Sequence, residues 1–325
     1  MKVFNLYLRI VCSLVFLSAL AVAQEQKPPS SAEQDAAKKV QAAQGVPAKL
    51  KQAEEFMKKN AKSSLRMKLA EYIANEIGNV MDAQQRLNNI ESYNKIFNAE
   101  NEKDLVLAYQ VDSLAMLDKV EEAFKLAPKA LEKSPDNALL LTQLALRGSN
   151  AIRQEKKEYL EPTKRYATKA LELLEANKRP ANVDEAYWNN FKQQWLPELH
   201  MTMGFIALTA GDATEAKTRF QKSIELNPLH PNGYVMLASL ADANYQRAAM
   251  DYNTASGANK DAALKKAYGF LDEEIDHYAH VVALTESKAE FKQLHDQVLP
   301  VLQETYKIRK GSLTGLDALI KQYKK

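Results

Sequence analysis

The run Glu273-Glu274-Ile275-Asp276-His277-Tyr278-Ala279-His280 holds the densest set of side chains able to do chemistry. On a helix, Glu273, His277 and His280 fall on successive turns of one face, and Glu274 stands three residues before His277, the spacing of a carboxylate and an imidazole sharing a metal in a helical bundle. A dinuclear centre of that kind needs a second such motif and two further glutamates, and none stands at matching spacing. The two histidines are therefore expected on a solvated helix face, with metal binding through Glu273, Glu274, His277 and His280 as the alternative. Nucleophilic catalysis lacks its parts. Cys12 is the one cysteine, no Gly-x-Ser-x-Gly elbow occurs, and His200, His230 and His295 have no carboxylate–serine context. Gly257 stands alone rather than in a phosphate-binding loop. No catalytic residue, metal ligand or cofactor is expected.

Trp188, Phe191 and Trp195 recur at intervals of three and four, so a helix carries all three rings on one side. Large rings bury well against a neighbouring element, which is the expected arrangement here. The alternative is a module for cell-wall glycans in which Trp188 and Trp195 stack on sugar rings.

The elements that must position these residues are clearest in residues 200–231, HMTMGFIALTAGDATEAKTRFQKSIELNPLHP. Met203, Gly204 and Ala207 keep helical spacing, Gly211-Asp212 interrupts it, and Ala216, Phe220, Ser223 and Ile224 resume it. Asp212 with Glu215 three residues on has the form of a capping box, and Asn227-Pro228 ends the second helix. This segment resembles the tetratricopeptide repeat, a 34-residue helix-turn-helix unit. Gly204 matches the small residue at the helix crossing. Ala216, Phe220 and Pro228 match its small contact, aromatic wedge and terminator.

Similar units are expected along the chain. Residues 64–77 and 81–97, divided at Gly78-Asn79, form a pair with stripes Leu69, Ala70, Ile73 and Ala83, Leu87, Ile90. In the next pair Ala123, Ala127, Ala130 and Pro135 repeat the intervals of Ala216, Phe220, Ser223 and Pro228, and Asp118 with Glu121 suggests a cap. Pro128 predicts a kink or a late start near Leu126. Residues 137–151 and 158–176 form another pair. Asn182 with Glu185 is expected to cap the tryptophan helix, which Pro197 separates or kinks from the repeat at 200–231. Residues 231–250 start a further unit, followed by a polar loop at 251–260, long helices at 262–284 and 287–307 opened by Ser287 with Glu290, and a terminal helix at 316–323.

The resemblance implies an all-α solenoid of stacked antiparallel helix pairs, a right-handed superhelix whose first helices line the concave side, and binding of protein or peptide without chemistry. By the same resemblance the groove positions are Leu105, Ala108, Asp112 and Met116, then Leu139, Thr142, Leu146 and Asn150, then Met201, Phe205, Leu208 and Thr209, then Val235, Ser239 and Asp242. They make a neutral, partly apolar groove without the Lys/Arg clamp that would hold a peptide carboxylate.

The first residues add a location. Lys2 and Arg9, an uncharged apolar run over residues 10–23 and Ala21-Val22-Ala23 read as a cleaved secretory signal at 1–23. The run is short for a bilayer span, and no stable membrane span is expected after cleavage. Arg9, Ile10 and Val11 before Cys12 are not the small-residue box of a lipoprotein. Residues 24–46 are expected to be a flexible polar leader with a frayed helix over residues 32–43, and residues 47–325 the repeat domain, with capping helices from about residue 261. The formal charge of +3 falls to about +1 once Lys2 and Arg9 are removed, which gives no basis for nucleic-acid binding. The expectation is a periplasmic or secreted adaptor with a protein or peptide partner in the cell envelope.

Overall fold

Residues 28–181 and 183–324 are described by the computed structural model. The expected signal segment and residues 24–27 lie outside the described residues. Everything described is helix, turn or loop, and the chain divides into two units at residues 144 and 145.

The N-terminal unit runs through α1 (Ser31–Ala42), α2 (Val46–Lys59), α3 (Arg66–Gly78), α4 (Ala83–Ile96), α5 (Glu100–Met116) and α6 (Val120–Lys133), and includes the start of α7 (Ala138–Arg153). Short turns join the helices, so sequence neighbours lie side by side: α1 on α2, α2 on α3, α3 on α4, α4 on α5, and α5 on α6. The helices also pack across pairs, α2 on α4 and α3 on α5. Leu50, Ala53 and Phe56 of α2 share one core with Leu69, Ile73 and Ile77 of α3 and with Ile90 and Tyr93 of α4.

In the leader expected over residues 24–46, the frayed helix expected at 32–43 is α1, capped and packed rather than frayed. Ser30 and Glu33 close a reciprocal capping box, and Ala37 and Val40 are buried in the same core. Two apolar side chains three residues apart are enough to seat a short polar helix when a neighbour's face is waiting. The cap expected from Asp118 is also corrected: Asp118 takes a left-handed conformation (φ 59°), and Lys119 precedes α6 without a side-chain cap. Helix α6 starts at Val120 and runs through Pro128.

The C-terminal unit holds the rest of α7, α8 (Leu160–Glu175), α9 (Glu185–Thr209), α10 (Ala213–Leu226), α11 (Pro231–Thr254), α12 (Ala258–Thr285), α13 (Lys292–Lys310) and α14 (Leu316–Gln322). The pair α9–α10 shows how sequence makes these hairpins. Gly211 turns at φ 84°, the Asp212 carboxylate accepts the Glu215 N–H at 2.9 Å, and the fully buried Phe220 ring lies against Gly204. A Cβ at Gly204 would stand 2.5 Å from that ring, so only glycine permits this approach.

Three boundaries differ from expectation. Of the separation or kink expected at Pro197, separation does not occur: α9 is one helix of 25 residues through it. Its cap is Asp184, which accepts the Tyr187 N–H at 3.0 Å; Asn182 lies outside the described residues. The polar loop expected at 251–260 shrinks to residues 255–257, because α11 continues to Thr254 and α12 begins at Ala258. Ser287 adopts φ 64° instead of capping, and α13 begins at Lys292 after one 3-10 turn. Gly311 and Gly315, both left-handed, turn the chain into α14.

Candidate docking site

The groove positions implied by the repeat register divide between buried, internally bonded and accessible. In the N-terminal unit Thr142 is fully buried and donates its hydroxyl to the Ala138 carbonyl at 2.7 Å, so it cannot meet a partner. Leu105, Ala108 and Leu139 are half-buried. Asp112 pairs with the Arg86 guanidinium at 2.7 Å, and the exposed Met116 sulfur sits 3.2 Å from the same group. Arg86 is the residue that sequence reasoning missed. It is buried on α4, where Leu87 was expected, and its Nε also donates to Ser113 Oγ at 2.6 Å.

In the C-terminal unit Met201 is buried in the cluster of Phe220 and Leu237, and the half-buried Leu208 packs against that cluster. Phe205 lies under the Arg153 guanidinium, 4.9 Å from ring centre to carbon. Thr209 donates to the Phe205 carbonyl, Ser239 to the Val235 carbonyl, and Asp242 accepts from Gln246. Val235 packs on the core around Ile275. Leu146 is half-buried and Asn150 exposed. Burial thus removes Thr142 and Met201 from the set, because a helix facing a neighbouring pair spends its largest side chains on that neighbour.

A cleft in the N-terminal unit lies between α4, α5 and the start of α6, with a volume of about 480 Å³. The half-buried Leu87 gives it an apolar floor, over Ile90 and Leu114, which are themselves buried. Gln84, Asn88, Asn94 and Gln110 line it with carboxamides, and Glu91, Lys95, Lys119 and Glu122 form the rim. The rim charges pair with each other, Lys95 with Glu91 at 2.8 Å and Lys119 with Glu122 at 3.9 Å, which leaves the cleft neutral. Carboxamides both donate and accept, so they match a peptide backbone without demanding a charged ligand. The sequence carried one signal for it: α4 reads AQQRLNNIESYNKI, unusually rich in amides for a helix with two packed faces.

The charged run on α12 does not converge. Glu273 pairs with Lys217 of α10 at 2.7 Å, whereas Glu274 is buried and accepts from Thr305 of α13 at 3.1 Å. His280 is stacked between Tyr234 (4.6 Å) and Tyr323 (3.5 Å), with Nδ1 3.0 Å from the Asp276 carbonyl. His277 is half-buried beside Tyr234, and burial lowers its pKa below the ordinary imidazole value. The expectation of solvated histidines is corrected: Glu273 goes to α10, Glu274 to α13, and both histidines lie against Tyr234 of α11. Among the described residues no group of three His, Cys, Asp or Glu is placed to hold a metal ion.

The aromatic stripe on α9 is core. Trp188 is 1% exposed, stacks on Phe191 at 5.9 Å and donates its indole N–H to Asn177 at 2.9 Å. A sugar cannot stack on Trp188, which removes half of the glycan arrangement; Trp195 is half-buried against Phe191.

No protein-family model matches this chain, and no curated protein matches it. Among solved structures it is similar to a tetratricopeptide repeat protein from Parabacteroides merdae ATCC 43184, at 13% identity and TM-score 0.38, over 83% of this chain and 100% of that one. It is also similar to a monomeric mutant of IFIT1 solved with Gppp-AAAA, at 17% identity and TM-score 0.30, over 90% of this chain and 61% of that one. The antiparallel pairing, the turn at Gly211-Asp212 and the Gly204–Phe220 crossing give the chain an all-α fold of successive helix pairs like that of tetratricopeptide repeats.

Proposed function

We propose that this chain is an exported, non-catalytic scaffold that binds an envelope protein, taking an extended peptide segment of it into the cleft between α4, α5 and α6. The observation that carries this is the cleft's composition: an apolar floor, four carboxamides and a self-neutralised rim. Extended peptide backbone offers alternating donors and acceptors to such amides, while one of its side chains can meet the half-buried Leu87. A tetratricopeptide-like fold supports a role in protein interaction. Export is supported by the pattern of residues 1–23, and among the described residues no helix is long and apolar enough to cross a membrane.

Peptides selected from a displayed library against the purified protein test the cleft. Asn88→Ala with Gln110→Ala is expected to weaken the selected peptides about tenfold, the loss of one to two backbone hydrogen bonds. Unchanged affinity in that variant would move the site elsewhere, and a selection that yields no peptide above background would remove the proposal. Mass spectrometry of the protein from its native cells checks export separately. The chain is expected to begin at Gln24, and an intact Met1 terminus in a cytoplasmic fraction would contradict export.

A further inference from the structure

Glu274 occupies a position for which the docking role has no use. It is 3% exposed at the junction of α12 with α13, and its one hydrogen bond is from the Thr305 hydroxyl at 3.1 Å. Among the described residues no basic group pairs with it. Helix α11 presents Asp242, a second carboxylate, and Ser239, which bonds Tyr278. Helix α12 itself adds the Tyr278 phenol. Helix α13 offers Thr305; its Arg309, one turn later, is held by Asp272 at 2.9 Å, and its Lys307 is exposed. From α10, Lys217 goes to Glu273; just after α14, Tyr323 meets Asp276 and Lys324 meets Glu286. A charge placed on Glu274 therefore meets a carboxylate and a phenol in a low-dielectric junction, with nothing to neutralise it.

We propose that Glu274 is a proton-operated latch for the C-terminal helices: with its carboxyl neutral α13 stays seated on α12, and with the carboxyl charged α13 loosens from it. The core at stake contains Ile275, Val282, Val298, Leu302 and Tyr306, so loosening uncovers an apolar face that is closed in acid. Burial, opposed by the Thr305 bond and reinforced by Asp242, pushes the Glu274 carboxyl up to about 7 from 4.5. The seated state thus keeps a proton that the loosened state releases, and seating weakens as pH rises through that interval, then levels off. His277 acts with the opposite sign. Its lowered pKa makes the folded state lose stability as pH falls, on the side of α12 that faces Tyr234 rather than Thr305.

Hydrogen exchange of the full chain, read by mass spectrometry and corrected for the intrinsic pH dependence, tests the latch. Protection over α13 is expected to fall by up to about tenfold per pH unit between about pH 5 and 7 and to flatten above, while α9 does not follow. Glu274→Gln should give α13 protection independent of pH. Asp242→Asn, which removes the neighbouring charge, should make the total fall smaller and end it at lower pH, and this variant carries the test if Glu274→Gln fails to fold. Protection over α13 that tracks α9 at every pH, or a fall that persists unchanged in both variants, overturns the proposal.

Discussion

Replacing Arg66 by methionine is expected to cost the N-terminal unit about 3–5 kcal/mol at neutral pH, because it strips the cation from a buried carboxylate. Arg66 on α3 holds Glu102 on α5 with both arms, Nε to Oε1 at 2.5 Å and Nη2 to Oε2 at 2.9 Å. It also donates to the Ile96 carbonyl and lies over the Phe97 ring. Without it, Glu102 keeps only the Ala99 N–H at 3.0 Å, in a place 3% exposed. Burial pushes the Glu102 carboxyl up, but the Arg66 bond and the Ala99 N–H outweigh it, and the pKa lies below the ordinary value. In the wild type this contribution is present above the unfolded carboxylate pKa and is lost as pH falls through the folded one. In the variant the sign reverses, since the unpaired carboxyl gains by protonation, so the penalty should be smaller at pH 4 than at pH 7. Urea denaturation at the two pH values measures it. An equal loss at both would mean that Arg66 contributes packing rather than charge.

Phe220→Ala is expected to destabilise the C-terminal unit by about 3–5 kcal/mol, the usual cost of emptying a fully buried ring. The ring fills the space that Gly204 leaves open, and the two positions should therefore couple. Gly204→Ala in the wild type drives a methyl into the ring and should cost about 1–3 kcal/mol by overpacking. In the Phe220→Ala background the same methyl enters the cavity, so the double variant should be more stable than the sum of the singles predicts, by about 1 kcal/mol or more. Thermal unfolding of the four proteins gives the coupling. Strict additivity would mean that the crossing relaxes by moving the helices apart.

The local features legible in the sequence were those with one cause each. Gly211-Asp212 turns because glycine tolerates a left-handed φ and aspartate caps, and both act without help from distant residues. The helix lengths were less legible because packing overrides local preference. Pro197 removes one backbone donor, yet α9 runs through it with Trp188 and Phe191 buried before the proline and Leu199 and Ile206 after it. The stretch at 251–260 is polar enough to suggest a loop, but polar residues suit the wet side of a long hairpin, and α11 and α12 extend into it. For α1, composition hid two buried side chains among twelve residues.

The candidate site was less legible than the fold. Repeat register indicates which face a residue occupies on its own helix, but not what covers that face. Met201 shows the difference, since it sits at a groove position and is consumed by the cluster of Phe220 and Leu237. The cleft at α4 needed knowledge that Leu114 and Glu122 come to lie beside Leu87 and Asn94, a juxtaposition set by packing of α4 on α5 and of α5 on α6.

Hydrogen exchange over the whole chain, with and without a peptide selected as above, bears most directly on the central claim that the cleft between α4, α5 and α6 is where a partner docks. Slowed exchange in α4 and α5, absent in the Asn88→Ala, Gln110→Ala variant, is the result expected. Slowing confined to the C-terminal unit, or equal in the variant, would contradict it.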